Sequence, residues 1–139
     1  MKDLKNKNII VTGATGGIGN SIIEKLYEHG ANILASGTKI EKLEELKNKF
    51  NKIEILNFNI SQSEKIENFI ENACEKFNGN LDCIINNAGT TQDNLAIRLN
   101  IEEWKKIIDI NLTSTFLMCK FAIKKMLKNK SGKIINITS

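Results

Sequence analysis

Short runs of branched apolar residues alternate along the chain with longer stretches in which apolar residues recur every three or four positions. The short runs predict five β-strands. They lie at Ile9–Val11, Asn32–Ser36, Ile53–Phe58, Leu81–Ile85 and Lys133–Thr138. Because strands that are apolar on both faces and alternate with helices form parallel sheets covered on both sides, the pattern predicts an α/β fold.

The longer stretches predict helices between these strands. The first helix has Ile18, Ile22 and Leu26 on one face and ends at Gly30. Thr38 is predicted to cap the second helix. The apolar stripe of that second helix is Ile40, Leu43, Leu46 and Phe50.

A Ser-x-x-Glu capping box at Ser61 and Glu64 predicts the start of the third helix, and Gly79 its end. The apolar face of this helix is Ile66, Phe69, Ile70, Ala73 and Phe77. A long fourth helical stretch is predicted from about Glu102 to Lys128. Its shared face is Trp104, Ile108, Leu112, Cys119, Ala122 and Met126.

Right-handed crossovers between these elements predict the strand order 3-2-1-4-5 of a doubly wound, Rossmann-like dinucleotide-binding fold. In that order the turn after the first strand, Asn59 after the third and Asn87 after the fourth lie at the carboxyl edge of the sheet. We therefore expect these three segments to share one pocket.

The turn after the first strand reads Thr12-Gly13-Ala14-Thr15-Gly16-Gly17-Ile18-Gly19, with the spacing Gly-x-x-x-Gly-x-Gly. Glycines allow a sharp turn and a close approach of another surface. A strand, a glycine turn and a helix start together present free N–H groups at one point, which is a site for an anion such as a pyrophosphate. The alternative is that these glycines merely form a tight turn.

The composition of the chain limits the classes of function that it could have. The hydrophobic share of 41% and the charged share of 26% are those of an ordinary soluble domain. The net charge of +4 comes from lysines spread along the chain, which argues against a nucleic-acid interface. The start of the chain has no apolar signal core, and no apolar run has membrane-spanning length. Three scattered cysteines and a single histidine indicate reduced thiols and no metal site, so we expect a cytoplasmic location.

With Thr12 in front, the glycine turn resembles the Thr-Gly-x-x-x-Gly-x-Gly signature of short-chain dehydrogenases/reductases. Asn86-Asn87-Ala88-Gly89 is similar to a second motif of that family, although a strand-end turn would also explain these asparagines. The resemblance implies a nicotinamide dinucleotide cofactor. The implied cofactor-binding residues are Gly13, Ala14, Thr15, Gly16, Ile18, Thr38, Asn59, Ile60, Asn87, Ala88 and Gly89.

The same resemblance implies two catalytic residues. Asn111 lies in an apolar helix, where the family has an Asn that loosens the helix and holds a water in a proton relay; a solvent-facing Asn is the alternative. Ser139 resembles the Ser that hydrogen-bonds the substrate carbonyl. The family's Tyr-x-x-x-Lys pair has no counterpart here, because Tyr27 is followed four residues later by Ala31. Residues 1–139 therefore read as a dinucleotide-binding domain that is C-terminally incomplete relative to the family.

Within the family, the stretch Gly89-Thr90-Thr91-Gln92-Asp93-Asn94-Leu95 and the later Glu103-Trp104 look most like 3-oxoacyl-acyl-carrier-protein reductases. That resemblance implies reduction of an acyl-carrier-protein thioester in fatty-acid synthesis. The alternatives are a short-chain dehydrogenase for another alcohol or ketone, and a cofactor-binding fragment without catalysis.

The residues after the second strand favour NADP(H) over NAD(H). An Asp or Glu there would bind the ribose hydroxyls of NAD, and no acid occurs between Glu28 and Glu41. Thr38 can donate a hydrogen bond to the 2′-phosphate and Lys39 can supply charge. Gly16 departs from many NADP-dependent relatives, which have Arg or Lys at that position.

The helical stretch from Glu102 to Lys128 has more apolar positions than one buried face needs. Those off the shared face are Ile107, Phe116, Leu117, Phe121, Ile123 and Leu127. Either further chain of the same domain or a partner subunit would cover them. Because members of the family commonly pair through this helix, the resemblance favours a homotetramer.

Overall fold

The computed structural model describes residues 3–138, which form a five-stranded parallel sheet with helices on both faces. The strands are β1 (Asn8–Val11), β2 (Asn32–Gly37), β3 (Glu54–Asn57), β4 (Cys83–Asn86) and β5 (Lys133–Asn136). The helices are α1 (Gly17–Glu28), α2 (Ile40–Lys49), α3 (Ile66–Glu75), α4 (Ile101–Ile108) and α5 (Ser114–Met126). The order β3-β2-β1-β4-β5 confirms the predicted topology.

Alternate residues of the central strands face two separate cores. Ile10 of β1 and Ile84 of β4 pack on one side of the sheet, against α3 and α5. Ile9 and Val11 face the other side, against α1 and α2. All four are buried, and Ile85 of β4 is buried in the second core, so β1 and β4 are covered on both faces, as the apolar runs in the sequence predict.

Three predictions at the starts of the first two helices are wrong. Ile18 is 63% exposed, because it lies in the first turn of α1, beyond the edge of the sheet. Thr38 does not cap α2: the N-cap position is Lys39, with no side-chain hydrogen bond. Thr38 lies one residue too early to reach the first free N–H groups of α2. Ile40 is also exposed, whereas Leu43 and Leu46 are buried as expected.

The predicted capping box at Ser61 and Glu64 is also absent. A 3-10 turn at Ser63–Lys65 precedes α3, and the N-cap Lys65 makes no side-chain hydrogen bond. The N–H of Ser61 instead donates to Asn59 Oδ1 at 3.0 Å, so this segment forms a local turn before the helix begins. The apolar face of α3 is buried as predicted.

The long fourth stretch is helical but changes period in the middle. Residues Asp109–Thr113 form a π-helical segment between α4 and α5. The extra residue per turn rotates the following helix, so the buried positions of α5 begin at Ser114 and continue through Met118. The single predicted face is therefore wrong at Trp104 and Leu112, which are exposed.

Candidate functional site

A cleft of about 490 Å³ opens at the carboxyl edge of the sheet, and we call it the nucleotide cleft. It is bordered by the glycine turn after β1, by Asn59 after β3 and by Asn87 after β4, which confirms that these segments share one pocket. The residues predicted to bind cofactor that line it are Gly13, Thr15, Gly16, Ile18, Thr38, Asn59, Ile60, Asn87, Ala88 and Gly89. The fully buried Ala14 does not line it; its N–H donates to Ser36 O at 3.0 Å.

Two glycines in the turn are required by close approach. Gly13 has φ +60°, and a Cβ there would lie 2.9 Å from the backbone of Ala88. A Cβ on Gly19 would lie 2.1 Å from Gly13 O. The turn can therefore fold tightly between α1 and the end of β4 only when both positions lack a side chain.

The start of α1 presents unpaired hydrogen-bond donors to this cleft. The N-cap of α1 is Gly16, which has no side chain to cap the helix. The first N–H of the helix that donates to the Gly16 carbonyl is that of Asn20. The N–H groups of residues 17–19 have no partner among the described residues, and all three residues line the cleft. These donors and the positive end of α1 form a site suited to an anion.

Hydrogen bonds fix the turn to the end of β4. Thr12 Oγ1 accepts from the N–H groups of Asn87 and Ala88, at 3.1 and 3.0 Å. Asn87 Nδ2 donates to Gly13 O at 3.1 Å. The buried Thr12 hydroxyl thereby satisfies the N–H groups of two residues that are themselves half-buried. This arrangement holds two walls of the nucleotide cleft at a fixed separation.

A second cleft of about 480 Å³, which we call the side cleft, adjoins the first at Ile18, Asn87 and Ala88. Asn111 lies on its wall, within the π-helical segment. Its side chain clamps the backbone of Thr90: Oδ1 accepts from Thr90 N at 2.9 Å, and Nδ2 donates to Thr90 O at 2.7 Å. The helix is locally loosened at Asn111, as expected.

Asn111 contributes its main chain as well. Its carbonyl oxygen accepts a hydrogen bond from the Thr115 hydroxyl at 3.0 Å, and Thr115 also lines the side cleft. A Cβ on Gly89 would lie 2.9 Å from Asn111 Oδ1, so the clamp needs a glycine at position 89. The other predicted catalytic residue, Ser139, lies outside the described residues.

Several lining residues of the nucleotide cleft were not predicted. Phe58 and Ile110 contribute apolar wall, and Gly37 and Ser36 border the cleft at the end of β2. The predicted strand order could have identified Ser36 and Gly37, because it places the end of β2 at the same edge of the sheet as the glycine turn. The strand order could not have identified Ile110, because the position of Ile110 beside the nucleotide cleft depends on the π-helical segment.

Among the described residues, none that lines the nucleotide cleft has a charged side chain. A bound anion there would be stabilised by N–H groups, hydroxyls and the helix end alone. Within residues 3–138 no cluster of three or more His, Cys, Asp or Glu side chains could hold a metal ion. In the same part of the chain, no helix combines the length and the apolar character needed to cross a membrane.

Comparison with known proteins places this site in a family. The chain is 42% identical to the 3-oxoacyl-acyl-carrier-protein reductase FabG of Rickettsia felis over 142 aligned positions, covering 100% of this chain and 56% of that protein. It is 36% identical to the FabG of Aquifex aeolicus, covering 98% of this chain and 56% of that protein. The chain thus spans little more than half the length of these relatives.

A solved structure has the same architecture. The crystal structure of a metagenomic short-chain oxidoreductase in complex with NADP matches with a TM-score of 0.92 and 29% identity, over 99% of this chain and 64% of that one. The short chain dehydrogenase family profile matches residues 7–139. The chain belongs to the short-chain dehydrogenase family of oxidoreductases.

Proposed function

We propose that the protein to which this chain belongs reduces 3-oxoacyl thioesters of acyl-carrier protein with NADPH, in fatty-acid synthesis. The observation that carries the proposal is the identity of about 40% to 3-oxoacyl-acyl-carrier-protein reductases over the whole chain. The loop Gly89–Leu95, which resembles that group, lies beside the two clefts, with Gly89 lining both. Residues 1–139 form the dinucleotide-binding part, and we place the protein in the cytoplasm.

The nucleotide cleft fits a dinucleotide. The free N–H groups of residues 17–19 would bind the pyrophosphate, and the closely packed Gly13 and Gly19 leave the backbone accessible to it. Asn87 and Thr12 hold the opposite wall. The cofactor would supply a hydride. These residues would bind the cofactor and orient it next to the side cleft.

Asn111 and Ser139 are proposed for the substrate side. Asn111 holds the Thr90 backbone, and with it the loop at the mouth of the side cleft. Ser139 follows the end of β5 by three residues and would hydrogen-bond the substrate carbonyl. Thr138, which precedes it, already lines the side cleft.

Turnover by the longest product of the gene tests the proposal. We expect consumption of NADPH with acetoacetyl-acyl-carrier protein, and much less with NADH. Ser139→Ala should lower kcat strongly and leave cofactor affinity unchanged. Oxidation of another alcohol in preference to the thioester reaction would favour a different substrate, and cofactor binding without any turnover would favour a non-catalytic protein.

Residues 1–139 alone provide a second test. A positioned acid–base group contributes about 10²–10⁴-fold, and the Tyr-x-x-x-Lys pair that would supply it is absent from this sequence. We expect these residues to bind cofactor without reducing the thioester. Measurable reduction would show that another group supplies the proton.

We also propose that the full-length protein is a homotetramer that pairs through the helical stretch Glu102–Lys128. Phe116 and Leu112 are each 62% exposed on this stretch, and Leu127 is exposed too. A group of exposed large apolar side chains on one helical stretch is typical of an interaction site. A second subunit would cover it with the same residues across a two-fold axis.

A further inference from the structure

A small cleft of about 300 Å³ lies between α1 and α2, next to the nucleotide cleft. We call it the α1–α2 cleft. It is lined by Thr15, Asn20, Lys42, Glu45, Leu46 and Lys49. Thr15 lines the nucleotide cleft as well, so the two clefts meet at this residue.

Two glycines, Gly37 and Gly16, lie where the two clefts meet. A Cβ on Gly37, the last residue of β2, would lie 3.3 Å from Thr15 Oγ1 and 3.7 Å from Leu43 Cδ2. Gly37 thus brings the end of β2 into contact with Thr15 and the first turn of α2. A Cβ on Gly16 would meet only Gly13 O, at 3.7 Å, so that side is open.

This junction is where the ribose of a bound dinucleotide would lie, because the ribose sits at the end of the second strand in folds of this topology. A group on the ribose 2′-oxygen would therefore face Thr15, Thr38 and the opening to the α1–α2 cleft. Among residues 3–138, no charged side chain lines the nucleotide cleft, and the positive end of α1 is directed at the pyrophosphate position. Any cation for a 2′-phosphate has to come from beside it.

The structure distinguishes between the two lysines at the start of α2. Lys39 occupies the N-cap position and lines neither cleft. Lys42 lines the α1–α2 cleft, and among the described residues it forms no ion pair. The other lysine of this cleft, Lys49, is paired with Glu24 at 3.5 Å. Glu45, which also lines this cleft, lies one turn of α2 beyond Lys42 in the sequence.

We infer that Lys42 binds the 2′-phosphate of NADP and, together with the Thr15 hydroxyl, sets the preference for NADP over NAD. We assign this role to Lys42 rather than to Lys39. The charge of Lys42 would take the place of the Arg or Lys that many NADP-dependent members of the family have at the position of Gly16. The inference rests on the proposed use of NADP(H) and specifies how this chain recognises it.

Calorimetric titration with NADP⁺ and NAD⁺ tests the inference in the longest product of the gene. Lys42→Gln should raise the Kd for NADP⁺ about tenfold, which corresponds to about 1.4 kcal/mol, and leave the Kd for NAD⁺ unchanged. Lys39→Gln is the matched control, since it removes the same charge from a neighbouring exposed position. The control should retain the NADP⁺ affinity of the unmodified protein.

Each other outcome overturns the inference. If Lys42→Gln keeps its NADP⁺ affinity while the unmodified protein prefers NADP⁺, the phosphate is bound elsewhere and the proposed function stands. Equal losses in both variants would show a long-range effect of net charge. An unmodified protein that prefers NAD⁺ would overturn both this inference and the proposed use of NADPH.

Discussion

Gly17 and Gly19 are two residues apart in the same turn, yet the space around them differs. A Cβ on Gly19 would lie 2.1 Å from Gly13 O and 2.8 Å from Ala14 Cα, both of them backbone atoms that cannot move alone. A Cβ on Gly17 would have nothing within 4 Å. The turn therefore depends on the missing side chain at position 19 and not at position 17.

We expect Gly19→Ala to displace the turn, to abolish measurable NADP⁺ binding and to lower the free energy of unfolding by about 1–3 kcal/mol. Gly17→Ala should retain binding and raise the free energy of unfolding by up to about 1 kcal/mol, because Ala favours the helix. Cofactor titration and urea unfolding measure both effects. Equal affinities in the two variants would contradict the assignment of the turn to cofactor binding.

Burial affects the ionisation of Cys83 in β4. Removal from solvent, helped by the nearby Asp82, raises the pKa of its thiol from 9.0 to about 11, and Lys133 opposes this rise. In the unfolded chain the thiol ionises at the lower pKa. The contribution of Cys83 to stability is thus complete below about pH 9 and is lost as the pH rises towards 11.

Cys83→Ala should therefore reduce the loss of stability between pH 9 and about pH 11. Urea unfolding across this range measures the loss. Cys119→Ala is the control, because Cys119 is not fully buried, and it should lose stability as the unmodified protein does. An identical pH dependence in the Cys83 variant and the unmodified protein would show that folding does not raise the pKa of Cys83.

At the scale of elements, two similar sequence patterns have different outcomes. Asn100 and Glu103 form a capping box on α4: Asn100 Oδ1 accepts from Glu103 N at 2.9 Å, and Glu103 Oε2 accepts from Asn100 N at 3.0 Å. Ser61 and Glu64 have the same spacing and form none. The difference arises because Asn59 engages the N–H of Ser61 first.

Asn100→Ala should lower the free energy of unfolding by about 1 kcal/mol, because it leaves the N–H of Glu103 in the first turn of α4 unpaired. Ser61→Ala removes a hydroxyl of the same capping type and should change stability by less than about 0.5 kcal/mol. Thermal or urea unfolding of both variants measures the difference. A larger loss in the Ser61 variant would reinstate the predicted box.

The strands and the nucleotide cleft could be predicted from the sequence because both depend on short-range patterns. Runs such as Ile9–Val11 mark buried strands, and the strand order then fixes which turns share an edge. The change of period at Asp109–Thr113 could not be predicted in this way. It is stabilised by contacts between distant residues, including Ser114 Oγ, which lies 2.6 Å from Ile60 O and 2.8 Å from Asp109 O.

The same limit explains the errors on the helix surfaces. Periodicity groups Trp104 and Leu112 with the buried face of the long helix, but the π-helical segment rotates α5 relative to α4. Ile18 matches the period of α1 and is nevertheless exposed at the cleft, because the sheet ends before it. A helical pattern identifies apolar positions, whereas tertiary contacts decide which of them are covered.

At the scale of the whole molecule, the helical stretch from α4 through the π-helical segment to α5 carries several exposed apolar side chains. Phe116 and Leu112 are exposed to solvent, although Met118 and Ala122 on the same stretch are buried against the sheet. Both sides of the helical stretch are thus apolar, and the sheet covers one of them. Either a second subunit or further chain of the same protein must cover the other.

We expect Phe116→Gln in the longest product of the gene to shift the homotetramer towards smaller species at micromolar concentration, because it removes an apolar anchor from the proposed interface. Ile97→Gln is the matched control: Ile97 is 92% exposed but lies outside both helices, so this variant should keep the assembly intact. Sedimentation velocity measures both. If the unmodified protein sediments as a monomer, or if Phe116→Gln lowers the free energy of unfolding without changing the assembly, Phe116 is covered within its own subunit and the helical stretch Glu102–Lys128 is not the interface.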